Sequence, residues 1–340
     1  MNTETTAIVS KLLDSPKKIA IIGHKNPDGD AVGSCLGLQF LLKQMKHQAD
    51  VVMPNDFPEF LKWLPGCDAI TIHEKATERS KAILEAADVI FTLDFNALNR
   101  SGDLCPILSE SEASFVMIDH HQAPDDYAVA TYSDTTMSST SEMVYHFMSA
   151  LNKIDLLTKD IATQLYTGIM TDTGSFRFAA TTAITHNVIA HLIEVGADNA
   201  SIHQNVYDTN SQDRLRLLGV ALKNLNILPE YRTAYITLSQ NELDEHNFKK
   251  GDTEGFVNYA LSVKNVVFAV IFIENTQEAI VKMSLRSKGD FSVNEFARSH
   301  YNGGGHNNAA GGRSTKSLTE TVSEFISILP SYKDALIHDS

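Results

Sequence analysis

A chain of 340 residues, 43% hydrophobic and 21% charged, has material for one large or, more naturally, two ordinary globular domains with ample core. Its formal charge of −14 argues against nonspecific grip on long DNA or RNA, which needs many exposed cations. A small phosphorylated ligand stays compatible, provided a few Arg or Lys converge or a metal supplies the positive charge. No apolar stretch approaches a membrane span, and the first 18 residues lack the apolar core of a signal peptide. Cys35, Cys67 and Cys105 are odd in number and widely spaced, so they read as reduced, buried thiols, with the cytoplasm as the expected compartment.

In chain order, KIAIIG (18–23), ADVVMP (49–54), DVIFTLD (88–94) and SFVMID (114–119) read as short buried strands separated by helical patterns. The stretch 33–45 carries a helical stripe of Leu36, Phe40, Leu41 and Met45. Ser139 and Glu142 form a capping-box pattern for a second helix, and Thr158 caps a third that ends near Thr171. Strand-like runs return at 231–239, 265–275 and 279–287, followed by a helix at 293–300, a glycine-rich loop YNGGGHNNAAGG (301–312) and a closing helix from Leu318. The alternation predicts an α/β chain: a parallel-sheet domain with flanking helices over 1–190, a helical linker over 191–228, and a smaller α/β domain over 229–340, with an active-site cleft between the domains.

Ligands of open parallel sheets bind at the carboxyl ends of the strands, so the residues after each apolar run deserve inspection. His24, Asp28 and Asp30 follow the first run, Asp94 the third, and Asp119-His120-His121 the fourth, while Asp172 follows the helix LYTGIMT. After the second run, Pro54 and Asn55 offer nothing comparable. Each group alone has an ordinary structural explanation, since Asp-Gly makes turns and Asp caps helices. Four remote segments delivering Asp and His to one edge do not. So many carboxylates cannot all stay ionised without compensation, and a pair of divalent metal ions is the simplest source of it. Asp and imidazole donors without thiolates point to Mn²⁺ most readily, ahead of Co²⁺, Fe²⁺ or Zn²⁺, with Mg²⁺ and Ca²⁺ less suited. The loop GHKNPDGDAVGS (23–34) therefore reads as a scaffold for ligands, because its carboxylates would repel a bare phosphate.

The segments HKNPDGDAVGS, Asp94 with NRSG behind it, DHH at 119–121 and TDTGSFRF at 171–178 resemble the four motifs of the DHH phosphoesterase superfamily. GGGHNNAAGG resembles the signature of the DHH-associated C-terminal domain. The resemblance implies that His24, Asp28 and Asp94 hold one ion, and that Asp30, Asp94, His120 and Asp172 hold the other, with Asp94 bridging. It implies that His121 faces the scissile phosphate as acid or hydrogen-bond donor, and that Asp119 supports the ligand histidine. Arg286 and His306 would bind the far phosphate of the substrate, and Gly303, Gly304 and Gly305 would leave backbone N–H groups open to it. Arg100 and Arg177 follow motifs closely enough to reach substrate or to pair with an acidic neighbour.

The implied activity is that of a stand-alone oligoribonuclease: a manganese-dependent phosphoesterase cutting short RNA or linear dinucleotides such as pApA and pGpG to mononucleotides. Hydroxide attack on phosphorus across two ions would carry the reaction. The 3′-phosphate of adenosine 3′,5′-bisphosphate is a further implied substrate. The resemblance leaves two alternatives, a nucleotide-binding regulator without catalysis, and a phosphoesterase for pyrophosphate or a cyclic dinucleotide. Long nucleic acid and membranes are not expected partners, and a homodimer is compatible with the pattern.

Overall fold

Each apolar run of the first half forms a strand because both faces of the sheet are covered, so alternate residues enter opposite cores. In a computed structural model, which describes residues 1–338, the chain divides into two units, Met1–Thr209 and a second beginning at Asn210. The first unit has strands β1 (Lys18–Ile22), β2 (Gln48–Met53), β3 (Thr71–Ile72), β4 (Val89–Leu93), β5 (Ser114–Asp119) and β6 (Ala130–Ser133). Its helices are α1 (Thr3–Leu12), α2 (Gly29–Gln44), α3 (Thr77–Glu85), α4 (Cys105–Ser109), α5 (Thr140–Ala150), α6 (Lys159–Asp172), α7 (Ala183–Val195) and α8 (Asn199–Tyr207). The sheet is parallel throughout, in the order β3-β2-β1-β4-β5-β6. Ile19 and Ile21 of β1 pack into the core holding Leu36, Leu41 and Leu165, whereas Ala20 and Ile22 face Leu84, Phe95 and Leu104. The strand order reverses between β1 and β4, and that reversal opens a crevice at their carboxyl ends.

Helix α2 begins at Gly29, four residues before the expected helical stretch 33–45, because Asp28 caps it by accepting the N–H groups of Asp30 and Ala31. It then crosses α6 at very short range. A Cβ on Gly33 would lie 2.5 Å from the Gln164 carbonyl oxygen and 3.2 Å from Gly168 Cα. Glycine is what lets the two backbones meet, and the antiparallel crossing sets the start of α2 beside the end of α6.

The second unit has strands β7 (Asn226–Leu228), β8 (Thr233–Leu238), β9 (Phe268–Asn275), β10 (Ile280–Ser287), β11 (Gly304–His306) and β12 (Ala309–Ser314). Its helices are α9 (Gln212–Lys223), α10 (Gln240–Glu245), α11 (Phe256–Leu261), α12 (Val293–His300), α13 (Leu318–Ile328) and α14 (Lys333–His338). The mixed sheet runs β11-β12-β10-β9-β8-β7, with only β8 and β9 parallel. Leu217 and Ala221 of α9 are buried against Ala234 and Ile236 of β8, while α7 and α8 bury Leu192, Ile202 and Val206 in the first unit. The stretch 191–228 is thus shared between two cores instead of forming a separate linker. An amphipathic helix looks the same in sequence whichever core it serves.

The glycine-rich segment also differs from expectation. Read as a loop, 301–312 holds β11 and the start of β12, which pair with each other. Glycine is poor in strands and so hides them, but here close contact demands it: a Cβ on Gly303 would lie 2.0 Å from the Gly311 carbonyl oxygen. Cys35 is buried, whereas Cys67 and Cys105 are half-buried, and all three are free thiols. Among the described residues no helix is long and apolar enough to cross a membrane.

Candidate metal centre

The crevice between β1 and β4 gathers the side chains that follow the strands. His24 Nε2 lies 3.8 Å from Asp28 Oδ1 and 3.4 Å from Asp94 Oδ2. On the other side, His120 Nε2 lies 3.9 Å from Asp30 Oδ2, 3.5 Å from Asp94 Oδ1 and 3.5 Å from Asp172 Oδ2. Among the described residues, the groups whose donor atoms lie within 4.8 Å of one another include His24/Asp28/Asp94 and Asp30/His120/Asp172, the two sets that flank Asp94, and also Asp94/Asp119/His121. Asp94 turns one oxygen toward each set. It sits at the end of β4 with a left-handed φ of 65°, a conformation that costs a non-glycine residue energy and is common at functional positions.

These residues fit a metal. The separations exceed a good N–H···O hydrogen bond, yet fall within twice a metal–ligand bond of about 2.1 Å, the limit for two donors sharing one ion. Both imidazoles are set for ligation as well. His24 Nδ1 donates to the Lys25 carbonyl at 2.9 Å and His120 Nδ1 to the Met137 carbonyl at 3.2 Å, so in the neutral ring each Nε2 carries the lone pair.

The electrostatics describe a cluster that holds protons where cations would go. Burial, reinforced by the charges of Asp94 and Asp172, pushes the Asp30 carboxyl well above its ordinary value. Burial also raises Asp172, to about 6, although His120 opposes it. Burial works against ionised Asp94 too, but His120 and His24 outweigh it and hold that carboxylate well below the usual range. For His24, burial alone would depress the imidazolium, and Asp28 and Asp94 reverse the sign and raise it.

Asp119 supports a different histidine from the one expected. Its Oδ1 accepts His121 Nδ1–H at 2.7 Å and its Oδ2 accepts the His121 backbone N–H at 3.0 Å, while His120 is oriented by Met137. The side chain two residues on simply curls back onto the carboxylate. Arg100 lies beside the first loop through its backbone, its carbonyl accepting Lys25 N–H at 2.8 Å. Arg177 Nε donates to the Gly174 carbonyl in its own turn.

Residues outside the motifs complete the site. The N-terminus of α5 delivers its first N–H groups to Asp30: Thr140 N–H to Oδ2 at 2.6 Å and Ser141 N–H to Oδ1 at 2.8 Å. Ser139 caps α5 as expected, but Glu142 does not close the capping box. Its carboxylate accepts from the hydroxyls of Ser138 and of Thr185 on α7. Asn55 is buried and accepts Asn26 N–H at 2.7 Å, fixing the left-handed turn (φ 59°) that starts the first loop. The run SSTS read as a cap and Asn55 as a strand end, so nothing in their identity announced these contacts.

In the second unit, β10, β12 and β11 bring Arg286, Ala309 and His306 into one cross-strand row. Directly paired residues share a face, and strands lie about 4.8 Å apart, so Arg286 and His306 flank a methyl group with roughly 10 Å between their backbones. The N–H groups of Gly303 and Gly305 already donate, to the Ala297 carbonyl and to Asn294 Oδ1. Arg286 Nη1 likewise donates to the Leu285 carbonyl at 2.9 Å.

Residues 18–169 match the DHH family, N-terminal domain, and residues 231–332 match the DHHA1 domain. The chain is 32% identical over 312 residues to the bifunctional oligoribonuclease and PAP phosphatase NrnA of Thermus thermophilus, covering 90% of this chain and 86% of that one. It is 30% identical over 297 residues to the probable bifunctional oligoribonuclease and PAP phosphatase NrnA of Streptococcus mutans, covering 87% and 89%. The crystal structure of an exopolyphosphatase-related protein from Bacteroides fragilis superposes with a TM-score of 0.95 at 38% identity, over 99% of this chain and 98% of the other. With both domains present in order and such similarity along nearly its whole length, the chain belongs to the DHH family, its second unit carrying the DHHA1 domain.

Proposed function

We propose that this protein is a metal-dependent hydrolase of phosphoester bonds that degrades short oligoribonucleotides and linear dinucleotides and removes the 3′-phosphate of adenosine 3′,5′-bisphosphate. The observation that carries the reading is the pair of donor sets joined through Asp94, with one imidazole and two or more carboxylates on each side. Relatives named as oligoribonuclease and PAP phosphatase, at 30–32% identity over most of the chain, support the substrate class. We assign two Mn²⁺ ions, one to His24, Asp28 and Asp94, the other to Asp30, Asp94, His120 and Asp172. When bound, such a pair supplies positive charge for a phosphoryl group and a water acidic enough to attack at neutral pH.

The chain's own residues then orient the reaction. Asp119 fixes the His121 ring with Nδ1–H as donor, which leaves Nε2 as the atom that can exchange a proton with a phosphate oxygen. Arg286 suits a phosphate not undergoing cleavage, since its planar fork matches phosphate oxygens, and His306 shares its row. The acidic surface charge and free thiols agree with a cytoplasmic enzyme working on small substrates.

Purified protein loaded with Mn²⁺ should convert pApA to mononucleotide and stop when EDTA is added. Asp30→Ala and His120→Ala should each abolish turnover. Unchanged rates in both variants would overturn the assignment of the metal centre, and a chain active only on pyrophosphate would overturn the substrate class.

A further inference from the structure

We infer that Thr140 is the positioning residue for Asp94, fixing the twist of its carboxylate so that one oxygen faces each half of the site; the inference rests on the two-ion reading above. A bridging Asp must hold its carboxylate at one twist. The terminal torsion of Asp is soft and roughly two-fold, so the side chain does not fix that twist by itself. Left to its own torsion, Asp94 would not keep Oδ2 toward His24 and Oδ1 toward His120 at 3.4 and 3.5 Å. The Thr140 hydroxyl supplies the missing constraint, donating to Asp94 Oδ1 at 3.1 Å. A carboxylate oxygen has two lone pairs, so Oδ1 can accept this hydrogen bond and still bind an ion.

The donor is itself immobilised. Thr140 is wholly buried, opens helix α5, and gives its backbone N–H to Asp30 Oδ2 at 2.6 Å. Its β-branched side chain has few rotamers, so fixing the backbone fixes the hydroxyl direction. Asp30 of one donor set therefore holds Thr140, and Thr140 holds the carboxylate shared by both sets. The start of α5 is anchored in turn through Glu142 to Thr185 of α7.

The test compares wild type, Thr140→Val and Thr140→Ser as metal-stripped full-length chains titrated with Mn²⁺ by calorimetry, with electron paramagnetic resonance of the loaded forms. Wild type should take two ions with spin coupling between them. Thr140→Val should keep the first ion, lose about 10- to 100-fold in affinity for the second, as expected when an outer hydrogen bond to a ligand is removed, and alter the coupling. Thr140→Ser, which keeps the hydroxyl, should recover most of both. If Thr140→Val fails to fold, Thr140→Ala removes the same hydroxyl without a methyl against the carboxylate and carries the same expectation. A hydroxyl-free variant that titrates and couples like wild type would overturn the role, as would Thr140→Ser behaving like Thr140→Val. Wild type taking a single ion would instead overturn the two-ion reading, and with it the division of Asp94's oxygens.

Discussion

Asp119 is completely buried, yet neither of its oxygens belongs to the two donor sets; both are spent on His121. A carboxylate in that position enforces a tautomer and an orientation, so its removal should cost chemistry and spare metal binding. Asp119→Asn is expected to lower kcat by about 10²- to 10⁴-fold, the usual worth of a positioned acid or base, with Mn²⁺ stoichiometry unchanged. Because the two residues act as one unit, Asp119→Asn combined with His121→Asn should be no slower than His121→Asn alone, and additive losses would refute the pairing. The proposed metal ligands make a different demand, since Asp30 and Asp172 would have to release protons before binding a cation. Asp172 is raised to about 6 and Asp30 is raised as well, so protons compete below that pH and affinity should climb as pH rises through it. A Mn²⁺ titration flat between about pH 5 and about pH 8 would show that these carboxyls are not ligands. The residues that meet in the crevice were legible because Asp and His stand directly after apolar runs. Thr140, Ser141 and Asn55 were not, because Ser, Thr and Asn usually cap helices and close turns, and only the tertiary structure shows Thr140 and Ser141 on the Asp30 and Asp94 carboxylates and Asn55 on the turn at Asn26.

Among the elements, the α2–α6 crossing sets Asp30 beside the end of α6 that carries Asp172, and it depends on glycine at Gly29 and Gly33. Gly33→Ala gains up to about 1 kcal/mol in helix propensity, but its Cβ meets a backbone oxygen at 2.5 Å that cannot rotate away. Overpacking of that kind costs about 1–3 kcal/mol, so the net effect should be a lower Tm, and parting the helices should weaken Mn²⁺ binding. Gly219 in α9 is the control, having nothing within 4 Å of its would-be Cβ. Gly219→Ala should raise stability by about 0.5–1 kcal/mol and leave metal binding alone. Equal effects of the two substitutions in thermal denaturation would remove the case for a glycine-built crossing. Strands β1, β2, β4 and β5 could be read from sequence because burial on both faces makes them continuously apolar. The two-residue β3 and the mixed β6 (ATYS) lack that signal, and β11 carries glycines that local pattern assigns to a loop.

At the scale of the whole molecule, every core cluster among the described residues draws on one unit only: those of the first end at Val206, and those of the second begin at Leu217. The six assigned metal ligands all lie in the first unit, and the Arg286–His306 row lies in the second. On the ligand assignment proposed above, residues 1–209 carry a core of their own and all six assigned metal ligands, and the proposed phosphate-binding row belongs to the second unit. Expressed alone, residues 1–209 should fold cooperatively and titrate with Mn²⁺ as the full chain does, while losing saturable hydrolysis of pApA. In the intact protein, Arg286→Ala should reproduce that division with one side chain. A hydrogen bond to a charged group is worth about 1.5–3 kcal/mol, so KM should rise by about 10- to 150-fold while the Mn²⁺ titration stays put. If the 1–209 fragment were folded by circular dichroism but unable to bind Mn²⁺, the metal centre would need the second unit, and the separation of roles between the two sheets would be wrong.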